Sequence, residues 1–94
     1  MIKQINCKET QKIWQGEVST RLPRDIQQVA RRKLRMLNNA KQLKDLSIPP
    51  NNRLEPLKGD RKGQHSIRIN RQWRICFRWV ENDAYAVAIE DYHV

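Results

Sequence analysis

The segment from Trp73 to Val80 constrains the fold most, because a large apolar side chain occupies every second position in it as far as Trp79. Every second residue is apolar and aromatic or branched: Trp73, Ile75, Phe77 and Trp79. The residues between them are Arg74, Cys76 and Arg78. Because successive side chains of a β-strand point to opposite faces, this pattern predicts a strand with one face on the core and the other face open.

Two neighbouring segments repeat the alternation. From Gln64 to Asn70, Ile67 and Ile69 are predicted on one face, and Ser66, Arg68 and Asn70 on the other. The segment 84–89 is predicted as a third strand whose inward residues are Tyr85, Val87 and Ile89. The short connections 70–72 and 81–83 favour antiparallel hairpins. Ile2 and Ile5 are predicted to begin a short first strand, 53–57 is predicted as another short strand, and 59–63 is predicted as a turn or loop.

Helices are predicted in the N-terminal half. Pro23 suits a first helical turn, where its missing N–H is not needed, and apolar residues at helical spacing follow it up to Ala40. A shorter helix is predicted from Glu9 to Gln15, and the adjacent prolines at 49 and 50 predict a loop. The fold class is therefore α+β: two N-terminal helices packed on a curved antiparallel sheet, in a single domain spanning 1–94.

The charge of the chain indicates an anionic partner. Nineteen Lys and Arg face ten Asp and Glu, for a net charge of +9, and most of the basic residues lie between positions 21 and 78. Such a field favours polyanions, although it also suits an acidic protein. The open sheet face carries Arg68, Arg74 and Arg78, and the small Ala86 and Ala88 leave a concavity there, so this face is a candidate seat for a nucleic-acid strand.

Other classes of protein are disfavoured. Cys7 and Cys76 are too few for a disulfide framework and lack metal-ligand spacing. The start of the chain has no apolar stretch typical of a signal peptide, and no segment approaches membrane-spanning length. We therefore expect a cytoplasmic protein with reduced thiols and no membrane partner.

Two clusters contain groups suited to chemistry. The ending Glu90-Asp91-Tyr92-His93 places a histidine, which carries protons near neutral pH, beside carboxylates that can orient it. The run 57–63 combines two glycines with three cations: Lys58, Arg61 and Lys62. It lacks the spacing of a P-loop, and it is either a phosphate-holding turn or a solvent-exposed basic turn.

Three runs resemble a known family. The run 53–70, the run Gln72-Trp73-Arg74-Ile75-Cys76-Phe77-Arg78-Trp79 and the ending Glu90-Asp91-Tyr92-His93 resemble the plasmid-maintenance killer proteins, the HigB branch of the RelE toxin superfamily. The resemblance extends from about Asn52 onward, and the Pro23 helix fits more loosely. It implies a microbial-ribonuclease-like α+β fold and ribosome-dependent cleavage of mRNA, in which an RNA 2′-hydroxyl attacks the adjacent phosphate without a metal or other cofactor.

The same resemblance implies roles for individual residues. Lys58 and Arg74 would stabilise charge on the phosphate, Asp91 and His93 would transfer or orient a proton, and Tyr92 would stack on a base or steer the backbone. Further affinity for RNA would come from four cations: Arg61, Lys62, Arg68 and Arg78. His65 and Trp73 are interpreted as structural.

Two points depart from a simple transfer of roles. Some HigB-type toxins have a histidine where this chain has Glu55, which is therefore either the general base or a bystander. Strand alternation places Arg74 and Tyr92 on the open face but His93 on the other, so that His93 joins the site only if the chain bends after Ile89.

Two other functions stay open from the sequence. Relatives of the ParE type poison DNA gyrase and lack a ribonuclease site, and a basic face can also bind nucleic acid without catalysis. Toxins of this type are held inactive by an antitoxin, which for HigB-type pairs is a HigA-like helix-turn-helix protein that also binds operator DNA. The expected partners are thus this antitoxin, the ribosome with its mRNA and, through the antitoxin, operator DNA.

Overall fold

The computed structural model describes residues 1–92. Within them lie two α-helices, α1 (Lys8–Trp14) and α2 (Arg24–Asn39), and four β-strands: β1 (Glu55–Pro56), β2 (Gln64–Arg68), β3 (Trp73–Val80) and β4 (Asp83–Asp91). Short 3-10 turns span Leu43–Ser47, Pro50–Asn52 and Gly59–Arg61. The predicted α+β class is confirmed. No helix of this part of the chain is long and apolar enough to cross a membrane.

The helices form where apolar side chains recur at helical spacing. Pro23 is the N-cap of α2, and the helix buries one apolar stripe: Ile26, Ala30, Leu34 and Leu37. In α1, Ile13 is fully buried, while Trp14 packs half-buried against the same core. Both helices therefore begin and end within a residue of the predicted bounds.

The sheet is antiparallel throughout, with strand order β1-β2-β3-β4. β1 is shorter than the predicted strand 53–57: Arg53 has a left-handed φ of 44°, and Pro56 has no N–H to donate to a ladder. The predicted N-terminal strand is reduced to two isolated parallel bridges, which join Ile2 to Ala84 and Ile5 to Val87.

A β-bulge interrupts the pairing of β3 with β4. Cys76 pairs with Ala88, but Arg78 pairs with Tyr85, so β4 contains one extra residue, and Ala86 takes a positive φ of 54°. The extra residue reverses the alternation of side chains, so that Ala84 is fully buried and Tyr85 lies beside Arg78 on the open face. The prediction that Tyr85 points inward was therefore wrong.

The main core lies between the helices and one face of the sheet, where β2, β3 and β4 supply Ile67, Ile75, Phe77, Val87 and Ile89. Leu57 and Cys76 are also buried, but they do not belong to this cluster. They lie on the opposite side of the sheet. On that face the segment 57–63 folds back over the sheet, because Arg61 hydrogen-bonds Glu90 of β4. The open face is therefore partly covered by this turn.

Candidate active site

An open pocket of about 260 Å³ lies at the end of the open face, where β1, the β2–β3 turn and the end of β4 meet. Its lining residues are Arg53, Glu55, Arg68, Asn70, Arg71, Arg74 and Tyr92. Four of the seven are arginines and only one is acidic. A concave surface with this charge attracts and concentrates anions.

Arg74 is the most constrained of these side chains. It is 7% exposed, and its Nη2 donates to the carbonyl oxygen of Arg53 over 2.5 Å. Its Nη1 lies 3.5 Å from Oε1 of Glu55. The buried Nε has no hydrogen-bond partner within residues 1–92. The guanidinium lines the pocket, so its positive charge attracts an incoming anion.

Tyr92 lies on the same side of the sheet as Arg74. Glu90 pairs directly with Arg74, and Tyr92, two residues further on, continues the pairing by donating its backbone N–H to the carbonyl oxygen of Gln72 over 2.7 Å. The guanidinium carbon of Arg74 lies 5.7 Å from the centre of the Tyr92 ring, within cation–π range. The structure thus places an aromatic face beside the buried cation.

Asp91 faces away from this pair. It pairs with Trp73, so its side chain points to the opposite face of the sheet from Arg74. Its Oδ2 accepts a hydrogen bond of 3.0 Å from Nε2 of Gln72. β4 stays paired up to Asp91, so the bend after Ile89 that His93 would require is not present in the paired strand. His93 itself lies outside the described residues.

The cations of the turn 57–63 have different environments. Lys58 and Lys62 are exposed, and in the described part of the chain neither lines the pocket. Arg61 forms a bidentate pair with Glu90, at 2.7 and 2.6 Å, and also donates to Oε1 of Gln64. The hydrogen bond to Glu90 raises the pKa of Arg61, and this pair fastens the turn to β4.

Cys76 lies under this turn and is fully buried. Removal of the thiol from water, reinforced by the charge of Glu90, raises its pKa to about 11. Cys76 is therefore a protonated thiol near neutral pH, and it packs as a small apolar side chain.

Arg78 and His65 stand apart from the pocket. Arg78 is exposed near the middle of the sheet, opposite Gln64 and Tyr85. His65 stacks on Phe77 with ring centres 6.2 Å apart, and burial lowers its pKa. These contacts suit a packing role for His65.

Three of the pocket residues were missed by the sequence reasoning: Arg53, Asn70 and Arg71. Oδ1 of Asn70 accepts hydrogen bonds from the N–H groups of Gln72 and Trp73, both 2.8 Å long, which tightens the β2–β3 turn. The available signal was position, because Asn70 and Arg71 lie in the turn joining the strands of Arg68 and Arg74. Arg53 gave no signal of its own.

Two solved toxin structures share this fold. A mutant of YafQ from E. coli superposes with a TM-score of 0.64 at 14% identity, covering 97% of this chain and 91% of that one. A YoeB/ParE toxin from Agrobacterium tumefaciens superposes with a TM-score of 0.59 at 19% identity, covering 99% and 100%. The fold is thus that of a class of small RelE-like toxins.

The family follows from the sequence match. A model described as the RelE-like toxin of the type II toxin–antitoxin system HigB matches residues 4–93, and the chain belongs to this HigB family. Toxin HigB-1 of Vibrio cholerae is 46% identical over 63 residues, which are 67% of this chain and 66% of that protein. The Endoribonuclease HigB of Proteus vulgaris is 34% identical over 94 residues, which are 99% and 100%. The expected family is confirmed, and a type II toxin has a cognate antitoxin.

Proposed function

We propose that this toxin is an endoribonuclease that cuts mRNA on the ribosome, with the whole chain acting as one domain in the cytoplasm. The observation that carries the proposal is the Arg74 guanidinium, which lines the pocket and is held in place by the carbonyl oxygen of Arg53. It lies beside Glu55 and Tyr92 in an arginine-lined pocket. The name of the relative from Proteus vulgaris, an endoribonuclease, supports this function.

The reaction is an internal transesterification. A base removes the proton of a ribose 2′-hydroxyl, and the oxygen forms a bond to the adjacent phosphorus. The bond from phosphorus to the 5′ oxygen breaks, and an acid protonates that oxygen. The products are a 2′,3′-cyclic phosphate and a 5′-hydroxyl, so that no oxidant, metal or water is consumed in this step.

Arg74 stabilises the negative charge that builds on the phosphate oxygens. Its position is set in advance by the carbonyl of Arg53 and by Glu55, so little reorganisation is needed during the reaction. Lys58 adds a second positive charge from the exposed turn beyond β1. Arg68, which lines the pocket, together with Arg61, Lys62 and Arg78, contributes affinity for the RNA backbone.

The remaining groups handle the proton and the base. Glu55 is the general base in this proposal, because its carboxylate lies next to Arg74 and is half-exposed to an incoming ribose. In this proposal Asp91, which faces away from Arg74, orients His93, and His93 protonates the leaving oxygen. Tyr92 offers its ring for stacking on a base, which tolerates any nucleotide.

The ribosome supplies what the toxin lacks. As lined by the described residues, the pocket is open and small, so we propose that the toxin alone does not hold a strand extended for in-line attack. An mRNA held stretched by the ribosome enters such a pocket with its geometry already fixed, which removes much of the entropic barrier. We therefore propose the ribosome and its mRNA as partners.

The antitoxin is proposed to be a HigA-like helix-turn-helix protein that also holds the pair on operator DNA. The net charge of +9 supports an acidic contact surface on this partner. Inactivation requires only that the antitoxin prevent the toxin from entering the ribosome.

The decisive experiment maps cleavage of a translated mRNA with and without ribosomes. The wild type is compared with three variants: Lys58→Ala, Arg74→Ala and His93→Ala. We expect cuts only with ribosomes, 2′,3′-cyclic phosphate ends, and loss of cutting in all three variants while they stay folded. DNA-damage signalling without mRNA loss would identify a gyrase poison instead. Toxicity that persists in Asp91→Ala and His93→Ala would identify a non-catalytic binder.

A further inference from the structure

A second basic pocket adjoins the candidate active site. It has a volume of about 390 Å³ and lies between α2 and the β2–β3 turn. Its lining residues are Val29, Arg32, Lys33, Asn51, Arg68, Ile69 and Asn70. Arg68 and Asn70 line both pockets, so the two depressions form one continuous positive surface.

Lys33 is the feature of this pocket that calls for a ligand. It is 7% exposed, and within residues 1–92 it forms no ion pair. Burial lowers the pKa of Lys33, and the positive charges of Arg32 and Arg68 lower it further. Because burial of an unpaired ammonium is costly, a negative charge in the pocket would relieve both the desolvation and the repulsion.

A purely structural role accounts for only part of this arrangement. Nζ of Lys33 donates to Oδ1 of the buried Asn52, whose amide donates to the carbonyl oxygen of Leu46 over 3.0 Å. This chain of contacts ties the loop after α2 to the helix. These hydrogen bonds require only one donor at position 33, which a neutral side chain could provide. They do not explain why three cations, Arg32, Lys33 and Arg68, surround one cavity.

We propose that this second pocket binds the phosphate next to the scissile one, so that the toxin grips two consecutive phosphates of single-stranded RNA. Arg32 and Lys33 contact the neighbouring phosphate, and Arg68 lies between the two. The inference rests on the proposed function for the identity of the ligand. It adds a subsite that uses α2, an element the reaction itself does not need.

The test uses 2′-O-methyl RNA, which lacks the attacking hydroxyl and cannot be cleaved. A dinucleotide carries one internucleotide phosphate and a trinucleotide carries two. Dissociation constants are measured over a range of salt, because salt screens contacts between cations and phosphates, so that each added contact steepens the dependence on salt. For the wild type we expect the trinucleotide to bind more tightly than the dinucleotide and to show the steeper salt slope.

Arg32→Gln is the diagnostic variant, because Arg32 is exposed and its replacement does not disturb the core. We expect it to abolish the extra slope of the trinucleotide and to leave dinucleotide binding unchanged. Arg35→Gln is the matched control: it removes the same charge from an exposed site on α2 and should change neither probe. Lys33→Met, which keeps the aliphatic stem, should act as Arg32→Gln does.

The inference is overturned if Arg32→Gln behaves as Arg35→Gln does, or if the trinucleotide shows no extra slope. The inference is also overturned if Lys33→Met lowers the unfolding temperature while Arg32→Gln binds both probes normally. Lys33 would then be a purely structural residue. These outcomes are independent of the proposed function, which is tested by cleavage on ribosomes. Absence of cleavage together with an Arg32-dependent slope would refute the nuclease and retain the phosphate site.

Discussion

The guanidinium carbon of Arg74 lies over the ring of Tyr92 on the open side of the sheet, 5.7 Å from the ring centre. One residue comes from β3 and the other follows the last paired residue of β4. Their contact brings a cation that can hold a phosphate next to a surface on which a base can stack. A single nucleotide could therefore meet both groups at once.

Arg74→Lys is expected to slow cleavage by about 10²–10³-fold. Lysine keeps the charge, but it lacks the planar fork that reaches the Arg53 carbonyl and a phosphate together. The measurement is the cleavage rate of ribosome-bound mRNA, accompanied by thermal unfolding. Arg24→Lys, at the exposed start of α2, is the control. Cleavage by Arg74→Lys at the wild-type rate would contradict a role for the fork.

Glu55→Gln is expected to lower the cleavage rate by about 10²–10⁴-fold without weakening RNA binding. The amide cannot accept a proton at neutral pH, while loss of a negative charge beside Arg74 favours the phosphate. Cleavage rate and oligonucleotide affinity are measured separately. Glu17→Gln, an exposed site after α1, serves as the control. An undiminished rate in Glu55→Gln would make Glu55 a bystander.

Tyr92→Ala is expected to weaken binding of an uncleavable RNA dinucleotide by about 1–3 kcal/mol, the usual contribution of a base stacked on an aromatic ring. Tyr92→Phe should bind as the wild type does, because it retains the ring beside Arg74. Titration of the three proteins under identical salt conditions provides the measurement. Equal weakening by Phe and Ala would assign the effect to the hydroxyl group.

The buried Cys76 thiol should make the fold sensitive to alkaline pH. Its pKa in the folded protein is raised to about 11 from an ordinary value of 9.0, so the folded state favours the protonated thiol. Its contribution to stability is fully present below pH 9 and is lost as pH rises towards 11. At roughly pH 10.5 the loss amounts to about 2 kcal/mol.

The check is urea unfolding of the wild type and Cys76→Ala across this pH range. The difference in unfolding free energy between the two proteins cancels the other groups that titrate there. It should shrink as pH rises from 8 to 10.5, on the order of 2 kcal/mol. A difference that stays constant with pH would show that the thiol titrates normally.

The bulge at Ala86 should resist β-branched substitution. With φ at 54°, Ala86→Val is expected to destabilise the fold by about 1–3 kcal/mol, because a branched side chain clashes with the backbone in the left-handed region. Ala86→Gly should be close to neutral, since relief of strain offsets the added flexibility of the unfolded chain. Denaturant unfolding measures both. A valine variant as stable as wild type would mean that the bulge can relax.

Much of the fold could be predicted from local patterns. The alternation of β3 and the helical stripe of α2 correctly assigned Ile75 and Leu34 to the core, because each pattern depends only on the geometry of its own element. The open face of Arg74 and Tyr92 followed from the same alternation. The prediction for Tyr85 was wrong, because one extra residue at the bulge reverses the parity of β4.

The sequence by itself determined the two helices, the antiparallel hairpins and the concentration of positive charge on one sheet face, since these depend on periodicity and composition. Only the tertiary structure decided that Arg74 is buried beside Glu55, that Arg61 is held by Glu90, and that Lys33 lacks a counter-ion within the described chain. These relationships join residues far apart in sequence. They depend on strand register and on the seating of one element against another, which no local pattern encodes.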